Sequence, residues 1–356
     1  MVKTPVSLRP LPHIAPVRER QERVLVTGAS GLLGREVALD FLRRGYQVRL
    51  VQRRDAQLHT FLPEALAQNL SQVRTDLSDK NRLEEAINGC DGVVHLAAKV
   101  SFTGTWEEFY QTNVQGTQNL LQAAAHHPIT RFLYISSPSV AHTGVSFMGA
   151  DNTAAAPEHT RGYYARSKAI AEHLVLAENS ERFHTAALRP HIVWGPSDTQ
   201  LVERVLERAA AGRLPLLNDG TALIDTTYID NAVDAIVTGY ERLENIQGQA
   251  LVITNGQPRP VAEIIHHMCT AVGIEPPKRS VPATLARALG SIIEKVWEKY
   301  PGEDEPPMTR FLAEQLSTAH WFDQRRTQKL LDWAPKVSLE EGYERLAQFY
   351  QDRYRH

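Results

Sequence analysis

The chain has 356 residues, a formal net charge of −2, 42% hydrophobic and 22% charged residues. This is the composition of a soluble globular protein of one large or two closely joined domains, without the basic field that would draw in nucleic acid. No apolar run approaches the ~20 residues needed to span a bilayer. The only cysteines, Cys90 and Cys269, support neither a disulfide framework nor a zinc site, so the expected compartment is a reducing cytoplasm. Residues 1–20 carry prolines and bases without an apolar h-region, which reads as a flexible leader and not a signal peptide.

Arg23–Thr27 is a β-branched apolar run suited to a buried parallel strand. Gly28-Ala-Ser-Gly31-Leu-Leu-Gly34 follows at once and opens an amphipathic run. Strand, glycine loop and helix make a dinucleotide cradle. Gly28 permits the turn, Gly31 lets a pyrophosphate approach the helix N-terminus, and Gly34 lets the helix pack close to the strand. A second strand, residues 46–51, ends in Gln52-Arg53-Arg54. NAD-binding proteins usually place an acidic residue there to hold ribose hydroxyls. Two guanidinium forks after an uncharged residue suit the 2′-phosphate of NADP(H) instead, although Asp55 could turn back toward a ribose.

Residues 72–75 read as a third strand, with Asp76 and Leu77 at its end beside the adenine position. Residues 93–98 read as a fourth, whose small residues let a cofactor pass. A helix over residues 106–125 carries Asn113, and a fifth strand covers Arg131–Ile135. Strands alternating with helical patterns predict an α/β fold on a doubly wound parallel sheet, with ligands outside the carboxyl ends of the strands. Ser136 and Ser137 fall at that end. In the next helical stretch Tyr164 and Lys168, four residues apart, share one face. An ammonium beside a phenol favours the phenolate, which brings the tyrosine toward proton exchange with an alcohol or ketone.

Beyond Pro196, helices are expected at 201–211, 230–241, 261–272, 283–300, 308–316, 324–331 and 339–353, an extended segment at 225–228, and a strand at 251–254 that returns to the main sheet. The expected division is a Rossmann domain over 21–196 with returning segments at about 225–256. A smaller, mainly helical substrate region comprises 197–224 and 257–356. Leu285, Leu289, Ile292, Ile293, Val296 and Trp297 form a helical stripe. It is read as packed on the core, with an acyl channel wall or a membrane-surface contact as alternatives. The acidic segment 302–307 reads as a solvated turn or a lid. No His, Cys, Asp or Glu group has metal-ligand spacing, so no metal is expected.

Six motifs in order resemble those of the extended short-chain dehydrogenase/reductase superfamily: Thr27-Gly28-x-x-Gly31-x-x-Gly34, His95-Leu-Ala-Ala98, Thr112-Asn113-Val-x-Gly116-Thr117, Ser136-Ser137-x-x-Val140, Tyr164-x-x-x-Lys168 and Leu188-Arg-Pro-x-x-Val-Trp-Gly-Pro196. The resemblance spans nearly the whole chain after residue 20. Within the superfamily the chain resembles the 3β-hydroxysteroid dehydrogenase-like branch, and more closely the bacterial 2-alkyl-3-oxoalkanoate reductases of long-chain olefin biosynthesis. That likeness lies in Tyr134-Ile-Ser-Ser-Pro-Ser-Val140 with His142, in Leu188 to Pro196, in Asp225-Thr-Thr-Tyr-Ile-Asp-Asn231, and in Pro306-Pro-Met-Thr-Arg-Phe311 leading to His320-Trp-Phe-Asp323.

The resemblance implies that Tyr164 is the general acid, that Lys168 lowers its pKa and holds the nicotinamide ribose, and that Ser137 binds the substrate carbonyl, with Ser136 as the alternative. It implies that Asn113 shapes its helix and supports the proton relay. Cofactor contacts are implied at Gly28, Ser30, Gly31, Leu32, Leu33 and Gly34 of the loop, and at Arg53, Arg54, Asp76 and Leu77 around the adenosine. Ala97, Ala98, Tyr164, Lys168, Pro190, Ile192 and Val193 would line the nicotinamide side. The implied reaction is reduction of the 3-keto group of a 2-alkyl-3-oxo fatty acid by NADPH, whose product passes to a β-lactone synthetase and then a decarboxylase. The implied partners are a lipid-like small molecule, a second copy in a homodimer, and other enzymes of that pathway. An NAD(P)-dependent 3β-hydroxysteroid or sterol dehydrogenase is the alternative reading, followed by a non-catalytic NADP-sensing protein. A keto acid also carries a carboxylate, for which His142 and His191 are the candidates; Arg189 reads as structural or cofactor-side.

Overall fold

The computed structural model describes residues 20–354, with 61, 102, 143–145, 152–153, 161 and 300–308 excepted. Nearly all of the expected leader, the segment 302–307 and the side chains of Val296 and Trp297 lie outside the described residues. In chain order the strands are β1 (Arg23–Thr27), β2 (Gln47–Gln52), β3 (Leu70–Arg74), β4 (Gly92–His95), β5 (Arg131–Ile135), β6 (Phe147–Ala150), β7 (His184–Pro190), β8 (Val193–Trp194), β9 (Leu216–Leu217), β10 (Leu223–Ile224), β11 (Thr227–Tyr228), β12 (Ala250–Ile253), β13 (Arg259–Pro260), β14 (Ser280–Val281) and β15 (His320–Phe322).

Seven of them form one parallel sheet in the order β12-β7-β5-β4-β1-β2-β3. The chain runs outward from β1 through β2 to β3, then returns to β4 and runs out the other way. The switch point therefore lies between β1 and β4, where a doubly wound sheet opens a crevice. Val24 and Val26 face one apolar layer, shared with Val37 and Phe41 of helix Leu32–Arg43 and Ile236 of helix Ile229–Glu241. Leu25 faces the opposite layer, with Leu83, Leu120 and Val175 of the helices Lys80–Ile87, Gly116–Ala125 and Tyr163–Ala177. Strands buried on both faces explain the unbroken apolar runs in the sequence.

The expected long helix over 106–125 is one continuous rod with a defect. Thr105 and Glu108 close a capping box at its start, and residues Tyr110–Gln115, which include Asn113, form a π-helical segment before Gly116–Ala125. A π-segment widens a helix locally and often marks a functional position.

The distal half differs from expectation in two places. It contains a four-stranded sheet, β13-β10-β15-β6, and the two-stranded pairs β8–β11 and β9–β14. Strands of two to four residues are too short to leave a legible period. Of the segment 225–256, β12 joins the main sheet beside β7 while β11 pairs with β8. Part of the apolar stripe of helix Ala283–Lys299 does not pack on the core: Leu285, Leu289 and Ile292 are 48–59% exposed, while Ile293 is half-buried. The buried face is instead the small one, Ala283, Ala286 and Gly290. A Cβ on Gly290 would lie 2.6 Å from the Arg310 backbone nitrogen, so close approach of the next helix selects small residues there.

An ion pair ties the sheet to the helix that carries Tyr164. Arg189, on β7, donates from Nε to Glu172 Oε2 at 2.9 Å and from a terminal nitrogen to Glu172 Oε1, and both side chains are buried. Removing one partner of a buried pair strands the other charge. Glu172→Gln is expected to destabilise the protein by about 3–5 kcal/mol, measured by urea unfolding, with loss of activity in parallel.

Candidate active site

The glycine loop is shaped by close backbone approach. Gly28 has φ +79°, and a Cβ on it would lie 2.8 Å from Ala97 N; a Cβ on Gly34 would lie 2.3 Å from Gly28 O. Gly31 is open on its outer side and serves as N-cap of helix Leu32–Arg43 without any side-chain cap bond. Ser30 and Gly31 are exposed, and Leu32 and Leu33 are half-buried. The first N–H groups of this helix thus face outward beside a backbone with no side chain in the way, which is the arrangement that receives a phosphate.

A chain of hydrogen bonds holds this loop against its neighbours. Thr27 Oγ1 accepts from Leu96 N at 3.1 Å and Ala97 N at 2.9 Å, so its own hydrogen goes to His95 Nδ1, 2.7 Å away. His95 Nε2 must then carry the ring proton and donate to Thr117 Oγ1 at 2.9 Å, and Thr117 donates to Asn113 O at 2.7 Å. The sequence motifs contain Thr27, His95 and Thr117 without revealing this role. Burial, with Lys168 adding to it, pushes His95 down to about 3, so the neutral tautomer persists.

At the far end of β2, Arg53 and Arg54 are exposed. Arg53 Nε stands 3.9 Å from Asp76 Oδ2 and lines an open cleft with Gln72, Val73, Arg74, Arg82 and Glu85. Arg74 and Arg82 are cations the sequence reading did not single out; strand pairing of β2 with β3 brings Arg74 beside Gln52. Leu77 is buried against the flank of Gly116, and Ala97 and Ala98 are half-buried behind the loop.

Ser137, Tyr164 and Lys168 meet beyond the end of β5. Tyr164 lies close enough to the Ser137 side chain for that hydroxyl to favour its phenolate. Ser137 Oγ also lies 2.9 Å from Ser139 Oγ, a second hydroxyl the sequence reading missed, and accepts from Ser139 N. Ser136, the alternative, is buried, and its Oγ has no hydrogen-bond partner among the described residues. Lys168 Nζ donates to Ile135 O at 2.6 Å and lies 4.1 Å from the Tyr134 ring centroid. One expectation fails here. Burial pushes Tyr164 up to about 12, opposed by the Ser137 hydroxyl, and Lys168 does not offset it. Burial likewise brings Lys168 down to about 7 against the pull of Glu172. Desolvation outweighs the proximity of ammonium and phenol, whose partners here are Ile135 and Ser137.

Asn113 is buried within the π-helical segment. Its Nδ2 donates to Ser167 Oγ at 2.9 Å and Lys99 O at 3.2 Å, and its Oδ1 accepts from Lys99 N at 2.7 Å. Both amide hydrogens are committed, so Asn113 acts as a positioning residue that docks helix Tyr163–Ala177 and the loop after β4. Ser167, between Tyr164 and Lys168, is the contact the sequence reading missed.

His142 and His191 lie beyond β5 and β7, where they meet His320 of β15. Pro190 ends β7, Val193 opens β8, and Ile192 between them has φ +44°, a strained conformation for a β-branched residue. A hollow of about 10 Å³, lined in part by Pro138, Phe147, Arg189 and Phe322, lies beside this turn.

The buried histidines set the acid stability. His95, His191 and His320 are held near 3, 4 and 3 by burial, so below about pH 6.5 the unfolded chain binds protons that the folded one refuses. Asp225, raised to about 6 by burial, works the other way by one proton. Stability should fall as pH drops from 6.5 toward 4, with net uptake on the order of two protons on unfolding. Thermal melts across that range measure it, and His95→Gln should flatten the slope.

A sequence model of the 3-beta hydroxysteroid dehydrogenase/isomerase family matches residues 25–283. The 2-alkyl-3-oxoalkanoate reductase of Stenotrophomonas maltophilia is 39% identical over 91% of this chain and 98% of its own length. The protein of the same name from Shewanella oneidensis is 33% identical over 97% of this chain and 90% of its own. Among solved structures, UDP-glucuronic acid 4-epimerase from Bacillus cereus in complex with NAD superposes with a TM-score of 0.72 at 22% identity, over 93% of this chain and 99% of that one; at that identity the likeness is one of fold. The chain belongs to the 3-beta hydroxysteroid dehydrogenase/isomerase family and is an oxidoreductase acting on a CH–OH group.

Proposed function

We propose that this protein reduces the 3-keto group of a 2-alkyl-3-oxoalkanoic acid to the 3-hydroxy acid with NADPH. The observation that carries the reading is the convergence of Ser137, at the turn after β5, with the helix of Tyr164 and Lys168, whose Nζ donates to Ile135 O at the end of that same strand. Two relatives bearing the 2-alkyl-3-oxoalkanoate reductase name over nearly the whole chain support the substrate class. The open Gly31 cradle fits a dinucleotide, and the guanidinium-lined cleft of Arg53 and Arg74 supports NADPH over NADH, since such forks match a phosphate. The main sheet and its glycine loop serve the cofactor, and segments 197–224 and 257–356 serve the substrate.

A bound nicotinamide supplies hydride to the carbonyl carbon. Tyr164 Oη gives its proton to the carbonyl oxygen as negative charge develops there. Ser137 Oγ, already within reach of that phenol, donates to the same oxygen and orients the ketone. Lys168, on the face of its helix shared with Tyr164, would hold the nicotinamide ribose beside the phenol. Asn113 keeps phenol and ammonium in register by clamping Ser167 between them.

Three measurements test this. Purified protein should oxidise NADPH faster than NADH with a 2-alkyl-3-oxo acid; activity on a 3-ketosteroid alone would sink the substrate reading. Arg53→Ala should raise the KM for NADPH by roughly tenfold and leave that for NADH nearly unchanged. Tyr164→Phe should lower kcat by about 10²–10⁴ while NADPH still binds, read by quenching of protein fluorescence; undiminished turnover would refute the mechanism.

A further inference from the structure

The third histidine of the cluster beyond β5 and β7 has no part in the steps above. The His320 ring lies 5.1 Å from that of His142 and 6.0 Å from that of His191, and Phe147 and Phe322 close around the outer two at 5.6 and 5.2 Å. His320 and His142 are 2% exposed and His191 7%. Three imidazoles from three distant segments thus pack together, and His142 closes the turn that begins at Ser137.

Hydrogen bonds determine which nitrogens carry protons. Thr318 Oγ1 gives its hydrogen to Glu314 O at 2.7 Å, so toward His320 Nε2, also at 2.7 Å, it accepts. His320 Nδ1 is therefore a bare lone pair, buried and with no partner among the described residues. His191 Nδ1 lies 2.5 Å from the Asp225 carbonyl oxygen, which cannot donate, so His191 Nε2 is the bare nitrogen of that ring.

The charged groups on the surrounding elements have partners of their own. Arg189 pairs with Glu172, Asp151 with Arg326, Asp323 with Arg325 and Glu314 with Arg310. The Asp225 carboxylate accepts from Thr254 Oγ1 and Gln257 N. Burial pushes His320 down to about 3 and His191 to about 4, with the other rings of the cluster contributing. A bare carboxylate entering here meets lone pairs and is repelled. A carboxylate accompanied by a proton turns an imidazole into a donor and leaves the net charge of the site unchanged.

We propose that His142, His191 and His320 form an acid-recognition pocket, in which the substrate carboxylate binds together with one proton taken up from solvent at His320 Nδ1. One N–H bond forms at His320 and no substrate bond breaks, so the pocket selects the acid over its esters and couples binding to proton uptake. The proposal rests on the reading above that the substrate is a 3-oxo acid, and casts His320 as a substrate-binding residue outside the proton-transfer step.

The test is calorimetric titration of the protein–NADPH complex with a 2-alkyl-3-hydroxy acid, which cannot react with the reduced cofactor, in buffers of different ionisation enthalpy near pH 7. About one proton should be taken up with the acid and none with its methyl ester. His320→Gln keeps a nitrogen where Nε2 meets Thr318 but deletes Nδ1. It should abolish the uptake and weaken acid binding by roughly tenfold or more, with KM moving more than kcat. His320→Asn sets an amide N–H where Nδ1 stood and should bind the acid better than His320→Gln, again without uptake. Should the variants fail to fold, the unaltered protein decides: its KM for the oxo acid should rise about tenfold per pH unit between 6.5 and 8.5, while that for the ester stays flat. Acid binding without proton uptake, or uptake unchanged in His320→Gln, overturns this proposal alone. Failure of the acid to bind or turn over at any pH overturns the substrate reading as well.

Discussion

The hydrogen-bond chain from Thr27 through His95 and Thr117 to the Asn113 carbonyl is the constraint on which the rest of the structure depends. It joins the end of β1, the end of β4 and the helix beyond the π-segment, and Thr27 also captures the backbone N–H groups of Leu96 and Ala97. The glycine loop can then press against Ala97 closely enough to forbid a Cβ at Gly28. Because each donor in the chain has one acceptor, a single tautomer of His95 satisfies it. The depth that makes the bonds strong also keeps the imidazole neutral.

From Asn113 the same constraint reaches the reacting groups. Its side chain clamps Ser167, so the helix bearing Tyr164 and Lys168 is docked by a residue of the π-segment. Glu172, one turn beyond Lys168, anchors that helix to β7 through Arg189. The helix bearing the phenol is thereby held at two points, Ser167 and Glu172, by buried polar contacts. These bonds are costly to break, because neither partner could find water in their place.

Desolvation sets the electrostatics of the whole site. Tyr164 is held protonated, Lys168 is brought down near neutrality, and His191 and His320 stay uncharged. Such a site binds charge only when the ligand supplies the compensating charge or proton. Anionic cofactor and acidic substrate would thus do more than fill space. They would reset the protonation of the groups that act on them.

The sequence by itself determined the doubly wound sheet, because strands buried on both faces must be unbroken apolar runs, and β1 and β5 are legible residue for residue. It also determined the glycine loop and the Tyr164–Lys168 register, since both are local geometry: a turn without Cβ atoms and one turn of helix. Tertiary structure alone decided where side chains from distant segments converge. His320 joins His142 and His191 only because short strands invisible to any period build the four-stranded sheet. Arg74 reaches the Arg53 cleft only through the pairing of β2 with β3. The exposed Leu285, Leu289 and Ile292 stripe makes the same point in reverse. Apolar spacing marked the face, but the tight approach of the following helix to Gly290 decided that the small residues, and not the large ones, were buried.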